Sequence, residues 1–269
     1  MSAKSYLENL FSLEGKVVLF TGAAGGIGSG LCEGLAKAGA TVALCDIDKS
    51  RLDELKEKIE SAGGKASSHI MNVMDKENIT SCIDEIHTQY GHIDVLVNCA
   101  GINKREGFLD VEEETYDRLM AINLKGVFLV SQTVAHYMRK QNYGSIINIG
   151  SHNTDWVLGG CSVYAATKSG IVAFTKAQAV EWAKFNIRAN CISPGHIQTP
   201  LTTATWQHPE RSKYLLDRIA MNRPGYAEDI VGVCILLASE ASSYITGCEY
   251  RVDGGCIAGG QPWPYDTKY

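Results

Sequence analysis

A strand, a glycine-rich loop and a helix follow one another near the start of the sequence, and this stretch constrains the fold more than any other. Residues 16–21, KVVLFT, form a short apolar run of the kind found in buried parallel strands. GAAGGIGSG follows directly, and LCEGLAKAGA then shows helical spacing that ends at a glycine. Glycines in this context let the backbone approach a pyrophosphate, which the free N–H groups of a helix N-terminus attract. The stretch therefore predicts a dinucleotide site rather than a plain glycine-rich turn.

The second predicted strand, TVALCD, ends in the carboxylate of Asp46 about 20 residues after the glycines. A carboxylate at this point can bind the two ribose hydroxyls of an adenosine and would repel a 2′-phosphate. Neither the glycine loop nor residues 46–48 contain an arginine or lysine that would attract such a phosphate. The sequence therefore favours NAD(H) over NADP(H) as the cofactor, although Lys49 and Arg51 leave the second possibility open.

Apolar strand segments continue to alternate with helical stretches along the rest of the chain. The further strand segments are residues 65–73, 92–101, 143–151, 186–195 and 248–255. This alternation predicts an α/β fold, a doubly wound, seven-stranded parallel sheet with helices on both faces. No linker or repeat divides the segments, so residues 1–269 are expected to form one domain, with extensions at 1–12 and 256–269.

Several polar or glycine residues fall where the predicted strands end. Ligands of such sheets bind beyond the carboxyl ends of the strands, so residues far apart in sequence would line one cleft. The residues at these ends are Gly22, Asp46, Asn98, Ser151 and Pro194. An irregular stretch at 196–225 and the turn at 152–163 would border the same cleft.

Tyr164 and Lys168 are four residues apart in a segment, 162–186, whose composition predicts a helix. They would lie one turn apart on the same face, where an ammonium lowers the pKa of a phenol from about 10 toward neutrality. Such a phenol can exchange a proton with an alcohol or a carbonyl. Ser151 could donate a hydrogen bond to the same substrate oxygen. Taken alone, the spacing also fits an amphipathic helix with a solvated lysine.

The bulk composition excludes several classes of protein. A net charge of −5 without a long basic run argues against a nucleic-acid binder. No apolar run approaches the about 18 residues of a membrane span, and the N-terminus lacks a signal-peptide core. The nine cysteines are scattered and form no C-x-x-C pair, which favours free thiols in a reducing cytoplasm. The seven histidines show no metal-ligand cluster, so no metal is expected.

With these motifs in place, the chain from about Leu13 to Gly255 resembles a single-domain short-chain dehydrogenase/reductase, which has a Rossmann fold. The glycine loop begins at Thr21-Gly22, and Asn98-Cys99-Ala100-Gly101 corresponds to an Asn-Asn-Ala-Gly motif in which cysteine replaces the second asparagine. The catalytic positions match Asn123, Ser151, Tyr164 and Lys168. Pro194-Gly195 with Thr199 corresponds to the segment that binds the nicotinamide end.

The resemblance implies a role for each matched residue. Tyr164 would be the general acid/base, Ser151 would orient the substrate oxygen, and Lys168 would also bind the nicotinamide ribose. Asn123 would hold, through its backbone, a water that links Lys168 to solvent. The implied cofactor contacts are Gly22, Gly26, Ile27, Gly28, Asp46, Ile47, Asn72, Val73, Asn98, Ala100, Gly101, Tyr164, Lys168, Pro194, Gly195, Ile197 and Thr199. Asn72 departs from the usual aspartate, but its side-chain oxygen can still accept a hydrogen bond from the adenine amino group.

Polar residues at both edges of the expected cleft favour a hydroxylated substrate. The candidate substrate residues are His152, Asn153, Trp156, Cys161, His196 and Trp206, with Thr154, Asp155, Gln198 and Thr202 adding polarity. The start FSLEGK and an end that continues after VDGG resemble the branch that oxidises sugar acids and polyols, such as gluconate 5-dehydrogenases. The open alternatives are a 3-oxoacyl thioester or hydroxysteroid reductase, a catalytically silent NAD-binding sensor, a nucleotide-sugar epimerase and an enoyl reductase.

The resemblance also implies an assembly, because this family is commonly tetrameric with its last strand near a two-fold axis. A homotetramer, or a homodimer, is therefore expected. Trp263 and Tyr265 in the glycine- and proline-rich tail suggest docking on a neighbouring subunit, and a frayed terminus is the alternative.

Overall fold

Seven parallel strands run through the part of the chain that the structure, a computed structural model, describes, which is residues 3–261. The strands are β1 (Val17–Thr21), β2 (Thr41–Asp46), β3 (Lys65–Ile70), β4 (Val95–Asn98), β5 (Gly144–Ile149), β6 (Ile187–Pro194) and β7 (Glu249–Val252). Their order across the sheet is β3-β2-β1-β4-β5-β6-β7. The predicted seven-stranded, doubly wound sheet is therefore confirmed.

Ten α-helices accompany these strands within residues 3–261. They are α1 (Ala3–Phe11), α2 (Gly26–Lys37), α3 (Lys49–Ser61), α4 (Lys76–Tyr90), α5 (Glu113–Met120), α6 (Gly126–Gln141), α7 (Ser162–Trp182), α8 (Thr203–Gln207), α9 (Pro209–Leu216) and α10 (Ala227–Ala238). Buried residues of α2, α3 and α10 pack on one face of the sheet. Buried residues of α4, α6 and α7 pack on the other, so the strands are covered on both faces and read as continuous apolar runs.

The strand order reverses between β1 and β4, which lie side by side although they are not consecutive in sequence. Thr21 at the end of β1 is in register with Asn98 at the end of β4. The loops after these two strands therefore diverge to opposite sides and open a crevice at the carboxyl edge of the sheet. The sequence predicts that the cofactor binds in this crevice.

Two regions differ from the sequence prediction. The stretch 196–225, expected to be irregular, contains α8 and α9. α9 begins at Pro209, whose fixed φ suits the first helical position, and His208 caps it by accepting from the backbone N–H of Arg211. β3 ends at Ile70, short of the predicted end at residue 73, because the chain turns at Asn72.

The C-terminal extension folds back on α9 as far as it is described. Gln261 Nε2 donates to the carbonyl oxygens of Leu216 at 3.3 Å and Ile219 at 2.5 Å. Trp263 and Tyr265, on which the expected docking of the tail depends, lie outside the described residues. All nine cysteines are free thiols, as predicted. Among the described helices, none is both long and apolar enough to cross a lipid bilayer.

Candidate active site

The glycine loop between β1 and α2 has the shape that a pyrophosphate requires. Gly22 has φ of +73°, and a Cβ added to it would lie 2.6 Å from the backbone nitrogen of Ala100. A Cβ on Gly28 would lie 2.1 Å from the Gly22 carbonyl oxygen. Gly25 caps α2 without a side-chain hydrogen bond, so the first N–H groups of α2, which include that of Ile27, have no side-chain partner. The loop therefore fits a dinucleotide phosphate.

Asp46 lies at the end of β2 with its carboxylate turned toward the glycine loop. Its oxygens accept the backbone N–H groups of Ala24 at 3.1 Å and Ile47 at 2.7 Å. Lys49 pairs with Asp53 at 2.5 Å, and Arg51 pairs with Asp48 at 3.4 Å. Lys49 and Arg51, the two cations that could attract a 2′-phosphate, are thus each paired with a carboxylate other than Asp46, although exposed pairs of this kind are weak.

The expected adenine contacts lie beside this carboxylate. Asn72 Oδ1 accepts the backbone N–H of Met74 at 3.0 Å, which uses one of its two lone pairs and leaves the other free. Val73 packs against Gly126, and Ile47 is 70% exposed. An exposed apolar side chain next to a free amide oxygen suits the face and edge of an adenine ring.

The loop after β4 is fixed by side chains that point into the protein. Asn98, predicted to contact the cofactor, donates through Nδ2 to Ser131 Oγ at 2.9 Å and Asn148 Oδ1 at 2.8 Å. The amino group of Asn98 therefore positions the loop, while its Oδ1 has no hydrogen-bond partner among the described residues. Thr21 Oγ1 accepts the N–H groups of Cys99 and Ala100, and burial raises the pKa of the Cys99 thiol to about 11. Cys99 is accordingly a neutral packing residue.

Asn123 is fully buried in a π-helical turn, Ala121–Lys125, that separates α5 from α6. Its side chain forms two hydrogen bonds of 2.8 Å with the backbone of Ile102 and a third, of 3.3 Å, with Thr167 Oγ1. The residue thus joins the loop after β4 to α7. Single π turns interrupt helices frequently at functional sites, and this one coincides with a predicted catalytic position.

Lys168 is buried on α7 and directs its ammonium to the same place. Its Nζ donates to the carbonyl oxygen of Ile149 at 2.8 Å and lies 5.6 Å from the centroid of the Tyr164 ring. A Cβ on Gly101 would be 3.7 Å from this Nζ and 3.3 Å from Asn123 Oδ1. The structure therefore brings Asn123, Tyr164 and Lys168 together beside the loop after β4, while Tyr164 itself is only partly buried.

Ser151 follows β5, and the side chain of Asn153 determines what its hydroxyl can do. Ser151 Oγ accepts the backbone N–H of Asn153 at 3.1 Å and its Nδ2 at 3.3 Å. Asn153 Oδ1 accepts the N–H of Leu158 at 2.9 Å, which fixes the orientation of the amide. Because both acceptor positions of Ser151 are used, its own proton is left to donate outward. Asn153, predicted as a substrate ligand, is therefore occupied within the protein and positions Ser151.

This geometry predicts that Asn153→Asp impairs turnover more than Asn153→Ala. A carboxylate in place of the amide would accept the Ser151 proton and turn it away from the substrate, whereas alanine only releases it. Removing one donor to a reacting oxygen costs about 10²–10³-fold in kcat, so we expect losses of about 100-fold for Asp and about tenfold for Ala. Steady-state kinetics beside thermal unfolding curves checks this order, and an Asp variant as active as wild type would refute it.

His152, Trp156 and His196 form an aromatic cluster beside Ser151. The His152 and His196 ring centroids are 4.5 Å apart at 90°, and Trp156 lies edge-on to both at 5.7 and 5.9 Å. Burial lowers the pKa of His152, and burial with the nearby His152 lowers the pKa of His196 to about 3, so both rings are neutral. Cys256 joins them, with one ligand atom from each residue within 4.8 Å of the others. The sequence showed no such cluster among the histidines, and the structure brings two of them and a cysteine together.

The other predicted substrate residues have different surroundings. Asp155 forms an ion pair of 2.8 Å with Arg251, and Thr154 donates to Glu249 at 3.2 Å, so both anchor the turn to β7. The thiol of Cys161 is buried and accepts from Asn103 Nδ2 at 3.6 Å, which makes it a packing residue. Trp206 lies on α8. Ile197 is buried in the core, and Thr199 lies against Gly26, where an added Cβ would be 2.7 Å from its own.

A cavity of about 310 Å³ opens between the loop after β4, the turn after β5 and the α8–α9 segment. Its lining consists of Arg105, Leu158, Thr205, Glu210, Arg211, Tyr214 and Leu215. The N–H of Leu158 binds Asn153, so the cavity adjoins the Ser151 turn. Sequence reasoning missed the two arginines, because exposed cations in a stretch expected to be irregular look like ordinary surface residues. Helical spacing after Pro209 would have indicated that Arg211 and Tyr214 lie one turn apart.

The sequence of this chain is similar to a protein-family model and to several known enzymes. A family model described as enoyl-(acyl carrier protein) reductase matches residues 22–256. The 3-oxoacyl-[acyl-carrier-protein] reductase of Thermotoga maritima is 42% identical over 246 residues, covering 91% of this chain and 99% of that protein. The 2-dehydro-3-deoxy-D-gluconate 5-dehydrogenase of Dickeya dadantii is 40% identical over 256 residues, covering 93% of this chain and 98% of that protein.

Among solved structures, one similar chain is a gluconate 5-dehydrogenase from Burkholderia cenocepacia, crystallised in complex with NADP and tartrate. Its TM-score with this chain is 0.91 at 34% identity, over 94% of this chain and 99% of that one. The alignment thus includes the whole sheet and the loops at its carboxyl edge. The predicted likeness to sugar-acid dehydrogenases is confirmed at this level of identity.

Proposed function

Because this chain belongs to the short-chain dehydrogenase/reductase family, whose members are oxidoreductases that use a nicotinamide cofactor, we propose that it interconverts a secondary alcohol and a ketone on a sugar acid, sugar or polyol with NAD(H). The observation that carries the proposal is the cavity that adjoins the Ser151 turn, whose lining includes Arg105 and Arg211. Most of the lining surface is apolar, but its two guanidinium groups suit the carboxylate of a sugar acid.

The residues at the carboxyl edge of the sheet have distinct parts in the proposed reaction. Tyr164 Oη takes the proton of the substrate hydroxyl during oxidation and returns it during reduction. Ser151 donates its hydroxyl proton to the substrate oxygen, as its bonds from Asn153 require. Lys168 supplies positive charge beside the phenol, and Asn123 holds through its backbone a water that connects Lys168 to solvent. The nicotinamide, when bound, accepts or supplies the hydride, so the protein contributes position and electrostatics.

The choice of a sugar acid rests on charge. Arg105 and Arg211 line the cavity, and the described structure shows no ion pair for either guanidinium. Arginine binds carboxylates in bidentate fashion, so a guanidinium in the wall of this cavity suits the carboxylate of an aldonate. The sugar-acid dehydrogenases among the similar proteins support the same class of substrate.

A second candidate is the reduction of 3-oxoacyl thioesters, because one similar protein is a reductase of that kind. The model described as an enoyl reductase is a weaker guide, since the four-residue spacing of Tyr164 and Lys168 is shorter than that chemistry would require. A 3-oxoacyl group carries no carboxylate to pair with Arg105 and Arg211, which makes a thioester the weaker candidate.

A screen of polyols and aldonates with NAD⁺ and NADP⁺, followed by absorbance of the reduced cofactor, tests the proposed reaction. We expect net reduction of the cofactor with one or more aldonates or polyols. Activity limited to 3-oxoacyl thioesters or hydroxysteroids would overturn the substrate class. No net change with any of these compounds would favour a sensor or an epimerase.

The preference for NAD(H) rests on Asp46, and it is a proposal of its own because the similar Burkholderia enzyme was crystallised with NADP. A carboxylate held by Ala24 and Ile47 cannot easily turn away from a 2′-phosphate. Asp46→Asn removes the charge and keeps the shape of the side chain. We expect the ratio of kcat/KM for NADP⁺ over NAD⁺ to rise about tenfold or more, which corresponds to about 1.4 kcal/mol of lost repulsion.

Asp48→Asn is the matched control, because Asp48 caps α3 through the N–H of Arg51 and asparagine keeps that cap. Its ratio should stay within about twofold of wild type, since asparagine and aspartate cap helices about equally well. A wild-type enzyme that already prefers NADP⁺, or an Asp46→Asn variant with an unchanged ratio, would exclude the proposed role of Asp46.

We further propose that the protein is a homotetramer or homodimer in the cytoplasm. The ring centroids of Phe128 in α6 and Phe174 in α7 are 6.0 Å apart with the rings tilted, and Val180 farther along α7 is 80% exposed. Apolar surface on two adjoining helices suits contact with a second copy of the chain. The free thiols fit a reducing compartment. Light scattering on the protein as it elutes from a size-exclusion column measures its molar mass, and the mass of a monomer would contradict the proposed assembly.

A further inference from the structure

We propose that His152, His196 and Cys256 form a binding site for a transition-metal ion of the zinc type, at the wall of the substrate cleft. This site is separate from the dehydrogenase residues and does not depend on the proposed substrate. Its three donors are two imidazole nitrogens and one sulfur, a set that suits Zn²⁺ or Co²⁺ and does not suit Mg²⁺ or Ca²⁺.

The sheet itself brings the three donors together. His152 lies in the turn after β5, His196 follows β6, and Cys256 follows β7. These strands are consecutive neighbours in the sheet, so the segments beyond their carboxyl ends converge. One ligand atom from each residue lies within 4.8 Å of the other two. A tetrahedral zinc ion separates such donors by about 3.5 Å, so small side-chain rotations would complete the site.

Two ring nitrogens in this cluster are buried without hydrogen-bond partners. His152 is 2% exposed, and its Nδ1 has no partner among the described residues. His196 Nε2 likewise has no hydrogen-bond partner among the described residues. Buried polar atoms are nearly always satisfied, so two nitrogens without partners in one cluster point to a ligand. A second histidine is a poor partner here, because the two rings meet edge to face at 90°.

Side chains around the cluster hold its proposed ligands in place. Trp156 packs edge-on against both rings. Asp253 accepts the N–H groups of Gly255 and Ile257 at 2.9 Å and so fixes the turn that carries Cys256. Three protein ligands leave a fourth position for water or a substrate oxygen.

Titration of the chelator-treated, full-length protein with Co²⁺, without substrate or cofactor, tests the site directly. We expect one equivalent to bind, with the visible bands of tetrahedral Co²⁺ and a near-ultraviolet band from a cobalt–thiolate bond. Added Zn²⁺ should displace the cobalt and bleach both. Absence of saturable binding, or a spectrum of octahedral Co²⁺ without the thiolate band, would overturn the proposal.

Two substitutions separate this site from adventitious binding. Cys256→Ser should abolish the thiolate band, and His196→Ala should weaken Co²⁺ binding about 100-fold, since even outer-shell changes weaken metal sites by 10–100-fold. Cys248→Ser is the matched control, because Cys248 is an exposed thiol outside the cluster. Its spectrum and affinity should match wild type. Binding unchanged in both cluster variants, with unfolding curves like wild type, would refute the site.

Discussion

Replacing Tyr164 by phenylalanine is expected to lower kcat by about 10³-fold or more while leaving NADH binding within about twofold, because a positioned general acid/base contributes about 10²–10⁴-fold. Phenylalanine keeps the ring in the first turn of α7, with the Lys168 ammonium 5.6 Å from its centroid. Only the hydroxyl is lost, and the resemblance assigns the proton transfer to that atom. Steady-state kinetics and a fluorescence titration with NADH measure the two effects separately.

Tyr143→Phe provides the matched control for this experiment. The Tyr143 hydroxyl binds Lys16 at 2.6 Å and Glu240 at 3.0 Å, in a network away from the crevice. Burial raises the pKa of this phenol, so it is a structural group at neutral pH. Its loss should reduce thermal stability and leave kcat nearly unchanged. If the Tyr164 variant retained a rate near wild type, another group would have to transfer the proton.

The sheet could be predicted from the sequence because its strands are buried on both faces. β2 was expected at 41–46 and spans Thr41–Asp46, since a short β-branched run between glycine and aspartate has few other solutions. α8 and α9 were not expected, because they are short and polar and lie among Pro200, His208 and Pro209. Their positions are set by packing over the cleft, as with buried Leu215, and not by local propensity.

The grouping of Asn123, Tyr164 and Lys168 could be predicted because the proposed proton transfer requires these residue types at this spacing. The direction of a side chain could not. Asn98 and Asn153 each have an amide suited to a ligand, and the structure commits both amides to internal hydrogen bonds. The cluster of His152, His196 and Cys256 could not be predicted from the sequence either. Its members are far apart in sequence and meet only because three adjacent strands end together.

Lys168→Met should remove activity and yet leave the protein as stable as wild type, or more stable. Lys168 is 4% exposed, and the described structure gives its ammonium one hydrogen bond, to the carbonyl oxygen of Ile149, and no carboxylate partner. Burying an unpaired cation costs several kcal/mol, whereas leaving one carbonyl unsatisfied costs about 1–3 kcal/mol. The net change therefore favours methionine, and we expect an unfolding temperature equal to that of wild type or about 2–4 °C higher.

The same substitution removes the positive charge that the proposed mechanism places beside the Tyr164 phenol. We expect kcat to fall about 10³-fold and the KM for the cofactor to rise about tenfold, since Lys168 would also bind the nicotinamide ribose. Lys176→Met, an exposed position on the same helix, should alter neither quantity. Differential scanning calorimetry and steady-state kinetics decide the matter together. A variant that loses activity because it unfolds at a much lower temperature would show that Lys168 stabilises the fold. In that case a partner other than Ile149 would have to offset the free-energy cost of burying the ammonium charge.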